Sequence, residues 1–156
     1  MEVHIDDLSG ERIAAFLEEH IQDMRAVSPP ESKHALDLSG LRRPEITFWS
    51  VWESEELVGC GALKELSPVH GEIKSMRTAR NWRRRSVGST MLRHIISEAS
   101  RRGYKRLSLE TGSMGFFSSA HRLYAKFGFE RCGPFGNYVE DPNSLFFTKT
   151  LVPESA

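Results

Sequence analysis

Val3 and Ile5 alternate with His4 and Asp6, a period of two that predicts a first strand over Glu2–Asp7 with one buried face. From Ser9 the spacing lengthens to that of a helix. Ile13, Phe16, Leu17 and Ile21 follow Ser9, the expected cap, and predict an amphipathic helix of roughly three to four turns ending before Pro29 and Pro30. Ser28–Pro44 reads as a short helix ending near Gly40 or as a substrate-facing loop. Ile46–Glu53 and Leu57–Leu66 then form a hairpin through Ser54, Glu55 and Glu56, and the turn at Pro68–Gly71 delivers Glu72–Thr78 as a third antiparallel partner.

The period lengthens again after Thr78. Val87, Met91, Leu92, Ile95, Ile96 and Ala99 fall at helical spacing in Val87–Arg102, which stops at Gly103. Arg106–Glu110 is a short strand, and this strand–helix–strand step favours parallel pairing with Glu72–Thr78. Phe116–Phe127 is a further helix ended by Gly128, and Phe129–Cys132 and Ser144–Leu151 are the last strands. The order βα(α)βββαβαββ describes one α/β domain over residues 1–156, a mixed sheet with a parallel central pair and helices on its faces.

Composition narrows the classes. The chain has 156 residues, enough for one domain with a real core, and 39% of them are apolar. Its 21 basic and 21 acidic residues cancel, which argues against a nucleic-acid-coating surface. The start is already acidic, no membrane span is visible, and Cys60 and Cys132 show no metal spacing, so reduced thiols and a cytoplasmic location are expected. The histidines form no HExxH motif, and no metal is expected.

Chemistry concentrates in Glu72–Leu92. A strand feeds a helix through a loop carrying Arg83, Arg84 and Arg85, and the unpaired N–H groups of a helix start are suited to an anion. Two parallel strands that part at their C-terminal ends, near Thr78 and Thr111, would open a crevice beside that loop. Neither GxGxxG nor GxxxxGK is present, so a dinucleotide or nucleotide-hydrolysing site lacks its signature.

With these residues in view, the whole chain resembles the Gcn5-related N-acetyltransferase superfamily. Its acetyl-CoA signature, Arg or Gln, two residues, Gly, one residue, then Gly or Ala, has a counterpart in Arg83-Arg84-Arg85-Ser86-Val87-Gly88, with Ser86 in place of the first glycine. The resemblance implies acetyl-CoA as cosubstrate, its pyrophosphate on the backbone from Arg84 through Ser86, Val87 and Gly88 to Ser89, and its pantetheine arm along Met76, Arg77 and Thr78. It implies Tyr124 as the acid for the departing thiolate and Glu72 as the base. It also places Phe117 where relatives often carry a cofactor-contacting asparagine.

Transfer from a thioester to an amine needs a neutral nitrogen, a polarised carbonyl and a proton for the sulfur, with no covalent enzyme intermediate. Glu110 is a second carboxylate that could hold the amine. The resemblance sets the acceptor, a small-molecule or peptide amine, between about Met24–Arg42 and Gly133–Asn143. Those stretches hold Arg25, Glu31, His34, Asp37, Arg42, Tyr138, Glu140 and Asp141, and they leave the acceptor open. A non-catalytic acyl-CoA-binding or sensor protein is the alternative. Relatives often pair, so a homodimer is compatible with the resemblance; no nucleic-acid or membrane partner is expected.

Overall fold

The computed structural model describes residues 1–27 and 38–151. Glu31, His34 and Asp37, named above as acceptor-side candidates, lie outside the described residues. The strands are β1 (Glu2–Ile5), β2 (Ile46–Glu53), β3 (Glu56–Ser67), β4 (His70–Thr78), β5 (Arg106–Gly112), β6 (Glu130–Cys132) and β7 (Ser144–Thr150). The helices are α1 (Glu11–Val27), α2 (Leu38–Leu41), α3 (Val87–Arg101) and α4 (Ser118–Lys126). Short 3-10 turns cover Arg80–Trp82 and Gly115–Phe117. The helix start differs from expectation, because the Ser9 hydroxyl donates to Asp7 Oδ1 at 2.6 Å and α1 begins only at Glu11.

The sheet has seven strands in the order β1-β2-β3-β4-β5-β7-β6. All neighbours are antiparallel except β4 and β5, the parallel pair expected from the strand–helix–strand step. β7 lies between β5 and β6. Alternation along each strand splits the core in two. Trp49, Val51, Leu63, Ile73, Leu107 and Leu109 face α3 and α4, whose Val87, Met91, Leu92, Ile95 and Tyr124 pack on them. On the opposite face, Phe48, Cys60 and Ala62 pack with Ile13 and Leu17 of α1 and Leu41 of α2.

Two irregularities position the site. The β4–β5 pairing runs from His70↔Arg106 to Ile73↔Leu109, and there the strands part. In the same region β4 bulges against β3: Ala62 pairs with Lys74 but Cys60 with Arg77, and Ser75 takes φ 56. A bulge of this kind inserts one residue and turns its backbone out of the ladder.

Candidate active site

A cleft of about 940 Å³ opens where β4 and β5 part, and it gathers most of the residues singled out above. Glu72, Met76, Arg77, Thr78, Arg83, Arg84, Ser86, Val87, Gly88, Ser89, Phe117 and Tyr124 all line it. Glu72 and Tyr124 reach it from opposite faces of the sheet, since Ile73 packs on the α3 and α4 side and its neighbour Glu72 therefore points to the other.

At one end lies the start of α3. Ser86 is its cap residue, in the left-handed region at φ 68, and its side chain makes no capping hydrogen bond. The Ser86 carbonyl accepts the Thr90 N–H at 3.0 Å and the Thr90 hydroxyl at 2.8 Å, so the preceding N–H groups of the first turn remain available to a ligand. Trp82 Nε1 donates to Glu56 Oε2 at 2.6 Å, which ties the loop before α3 to the β2–β3 hairpin.

The arginines separate into different roles. Arg83 and Arg84 line the cleft. Arg85 is not among the lining residues, and its guanidinium lies over the Trp82 ring, 5.2 Å from the centroid. Arg84 and Ser86 both have positive φ, and this backbone turn carries Arg85 away from the cleft that Arg83 and Arg84 line. Arg77 is buried and committed to α1: it pairs with Glu19 and, at 2.9 Å, with Asp23, and lies over the Phe16 ring. Its guanidinium is thus engaged through both terminal nitrogens, while Nε has no hydrogen-bond partner.

Tyr124 is 7% exposed, set between Phe129 and Phe147 at ring distances of 5.9 and 6.0 Å. Burial, then the charge of Glu110, pushes its phenol up to about 12. It stays protonated across neutral pH and can donate. The helix carrying it is fastened to β5 by His121 Nε2, 2.8 Å from the Gly112 carbonyl. Phe117 packs against Gly112, where an added Cβ would come within 2.1 Å of the ring.

Glu72 is 2% exposed. Its Oε2 accepts the Tyr138 hydroxyl at 2.6 Å and the Lys74 ammonium at 3.2 Å, and Lys74 also donates to the Tyr138 oxygen at 2.9 Å. Lys74 was given no role from sequence, although its position two residues beyond Glu72 on one strand puts both side chains on the same face. His20, Ile21, Met24 and Arg25 of α1 complete this end with Glu110, Tyr138 and Asn143. His20 is buried and neutral, held down to about 4 by burial and then by Arg77. Cys60 is a free thiol pushed up to about 12 by burial, unsuited to act as a nucleophile.

The profile of the Acetyltransferase (GNAT) family matches residues 13–129, from α1 through α3 and α4 to the residue before β6. The chain belongs to that family. Acetyl transfer from acetyl-CoA is the activity that membership brings. The protein is 58% identical over 151 residues to the uncharacterized N-acetyltransferase YsnE of Bacillus subtilis, covering 97% of this chain and 100% of that one. It is 37% identical over 140 residues to the IAA acetyltransferase of Azospirillum brasilense, covering 89% and 90%. In fold it resembles an aminoglycoside 6'-N-acetyltransferase crystallised with coenzyme A, at TM-score 0.73 and 16% identity over 100% of both chains. Among the described residues no helix is long and apolar enough to cross a membrane.

Proposed function

We propose that the protein transfers the acetyl group of acetyl-CoA directly to a small amine, with Tyr124 as acid and Glu72 as base. The observation that carries this is the single cleft running from the open α3 terminus to the gap between β4 and β5, with the phenol and the carboxylate entering from opposite faces of the sheet. The first-turn N–H groups of Val87, Gly88 and Ser89, with Arg83 and Arg84, suit the phosphates of acetyl-CoA. Met76, the Arg77 backbone and Thr78 would follow its arm. Ser86 already occupies the left-handed conformation that a glycine would take, so the loop keeps its shape. Phe117 offers an apolar wall on which an asparagine amide has no counterpart.

In the reaction, Glu72 removes the proton from an ammonium that must attack as a neutral amine. Tyr124 donates to the sulfur as negative charge develops on it. Backbone turned out by the bulge at Ser75 is suited to polarise the thioester carbonyl. The acceptor end mixes signs. Arg25 is exposed there, Glu72 is matched by Lys74, and His20 is neutral. An amine that also bears a carboxylate, or a singly charged amine, suits this balance better than a polycation.

Calorimetric titration with acetyl-CoA, beside desulfo-CoA and ATP, tests the cofactor end. Thiol release is then measured over a panel of amino acids, monoamines, aminoglycosides and IAA, the last because a relative is named for it. Saturable acetyl-CoA binding with release driven by monoamines or amino acids supports the proposal. Binding without release by any of them would instead favour an acyl-CoA-binding or sensor protein, and absence of binding by folded protein would overturn the reading.

A further inference from the structure

The Glu72 carboxylate is buried, and a buried carboxylate left alone gains a proton to escape the loss of hydration. Here two donors oppose that outcome. Lys74 and Glu72 side chains are 9% and 3% exposed and 3.2 Å apart, and Tyr138 arrives from the segment between β6 and β7. Both donors reach the same oxygen, Oε2, while Glu72 lines the cleft. The other oxygen is thereby left for the acceptor's proton.

The phenol is held between the segment that carries it and strand β7. Its ring packs against Phe135 at 5.2 Å and Phe146 at 5.5 Å, and Phe135 in turn meets His70 at 5.9 Å. Lys74 Nζ lies 5.6 Å from the Tyr138 ring centroid. The three polar groups therefore form a closed triangle with one fixed geometry.

We propose that Lys74 and Tyr138 are positioning residues that clamp one carboxylate oxygen of Glu72 and aim the other at the acceptor amine. The proposal rests on Glu72 being the base. Other titratable or charged groups facing this region are His70 on β4, Lys64 opposite Glu72 on β3, Glu110 on β5, and His20 and Arg25 on α1. His70 is held neutral by burial and then by Arg106, and bonds to Ser108 at 2.7 Å. Of these side chains, Lys74 alone gives the Glu72 carboxylate an ion pair and Tyr138 alone gives it a hydroxyl.

The test is carbon-13 NMR of the glutamate side-chain carboxyls in the intact protein, with the Glu72 signal assigned by its absence in Glu72→Gln. Tyr138→Phe keeps the ring and removes the hydroxyl; Lys74→Met keeps the length and removes the charge. In each variant the Glu72 carboxyl signal at pH 7 should move and broaden as the side chain gains freedom, kcat with the most active amine should fall about tenfold with the acetyl-CoA KM unchanged, and Lys74→Arg should restore most of both. If Lys74→Met does not fold, Tyr138→Phe decides. An unmoved Glu72 signal with unchanged kcat would overturn the proposal. The acid limb of thiol release, measured with the most active amine of the panel, separates the two claims. If Glu72→Gln leaves that limb in place, the base assignment fails, while the NMR result still decides whether Lys74 and Tyr138 hold the carboxylate in place.

Discussion

Ser86→Gly bears directly on whether the altered phosphate-loop signature weakens this protein. Ser86 has φ 68 and ψ 15, a conformation costing a non-glycine residue roughly 1–2 kcal/mol. Glycine removes that cost but loses more freedom on folding, roughly 0.5–1 kcal/mol. The serine is exposed and its hydroxyl makes no capping bond, so little else is lost. The balance is a gain of about 0.5–1 kcal/mol, which for a chain of this size raises the thermal midpoint by roughly 2–3 °C. Acetyl-CoA affinity should change by less than about threefold, because the groups proposed to meet the phosphates are backbone N–H groups. Thermal unfolding of the two proteins at one pH, and calorimetric titration of each, read both quantities. A lower midpoint for Ser86→Gly would refute the conformational argument. A tenfold gain in affinity at unchanged stability would show that Ser86 obstructs the site after all.

Three further outcomes follow from the same geometry. Tyr124→Phe should lower kcat by about a hundredfold with little change in acetyl-CoA affinity, and an unchanged rate at saturating amine removes Tyr124 as the acid. His20 is held down to about 4 in the fold against 6.5 when free, so the unfolded chain takes up the proton first as pH falls. Stability contributed by keeping it neutral is therefore present above about pH 6.5 and is lost toward pH 4, a change of about 3 kcal/mol. Urea unfolding at pH 7 and 4.5 should show most of this loss in the wild type and little of it in His20→Leu. Gly112→Ala forces the Phe117 ring to move from a 2.1 Å clash, and should lower stability by about 1–3 kcal/mol, a loss that Phe117→Leu reduces in a double-mutant cycle read by thermal unfolding.

The element order was legible because each segment keeps one hydrophobic period to its end. Val87 to Ala99 hold helical spacing, Gly103 and Gly128 mark the stops with positive φ, and the parallel step between β4 and β5 follows from the intervening helix. Less was legible where pairing is decided at long range. Nothing local says that β7 rather than the three-residue β6 lies beside β5. The Arg77 side chain was equally hidden, because its carboxylate partners Glu19 and Asp23 stand 58 and 54 residues earlier. Of the arginine run, composition suggested one anion site, yet the backbone sends Arg85 to Trp82. Lys74 needed only the period of two to be placed beside Glu72, but its tie to Tyr138 required the loop to fold back across the sheet.

The backbone of the cleft was hidden for a different physical reason. Among the described residues, the non-glycine positions with positive φ are Leu8, Ser54, Ser75, Arg84 and Ser86, and the last three all line the cleft. Local propensity disfavours each of them there, so each conformation must be imposed by surroundings that the local pattern does not contain. For Ser75 the imposing element is the β3–β4 ladder, which resumes on either side of the extra residue. For Arg84 and Ser86 it is the abrupt change from the turn at Arg80–Trp82, tied to Glu56, to the buried first residue of α3, Val87. A cleft that offers unpaired N–H groups must interrupt regular hydrogen bonding somewhere, and the interruption is what local reasoning reads least well. The same departures that blur the sequence at Ser75, Arg84 and Ser86 therefore mark the places where we propose that backbone N–H groups meet the ligand.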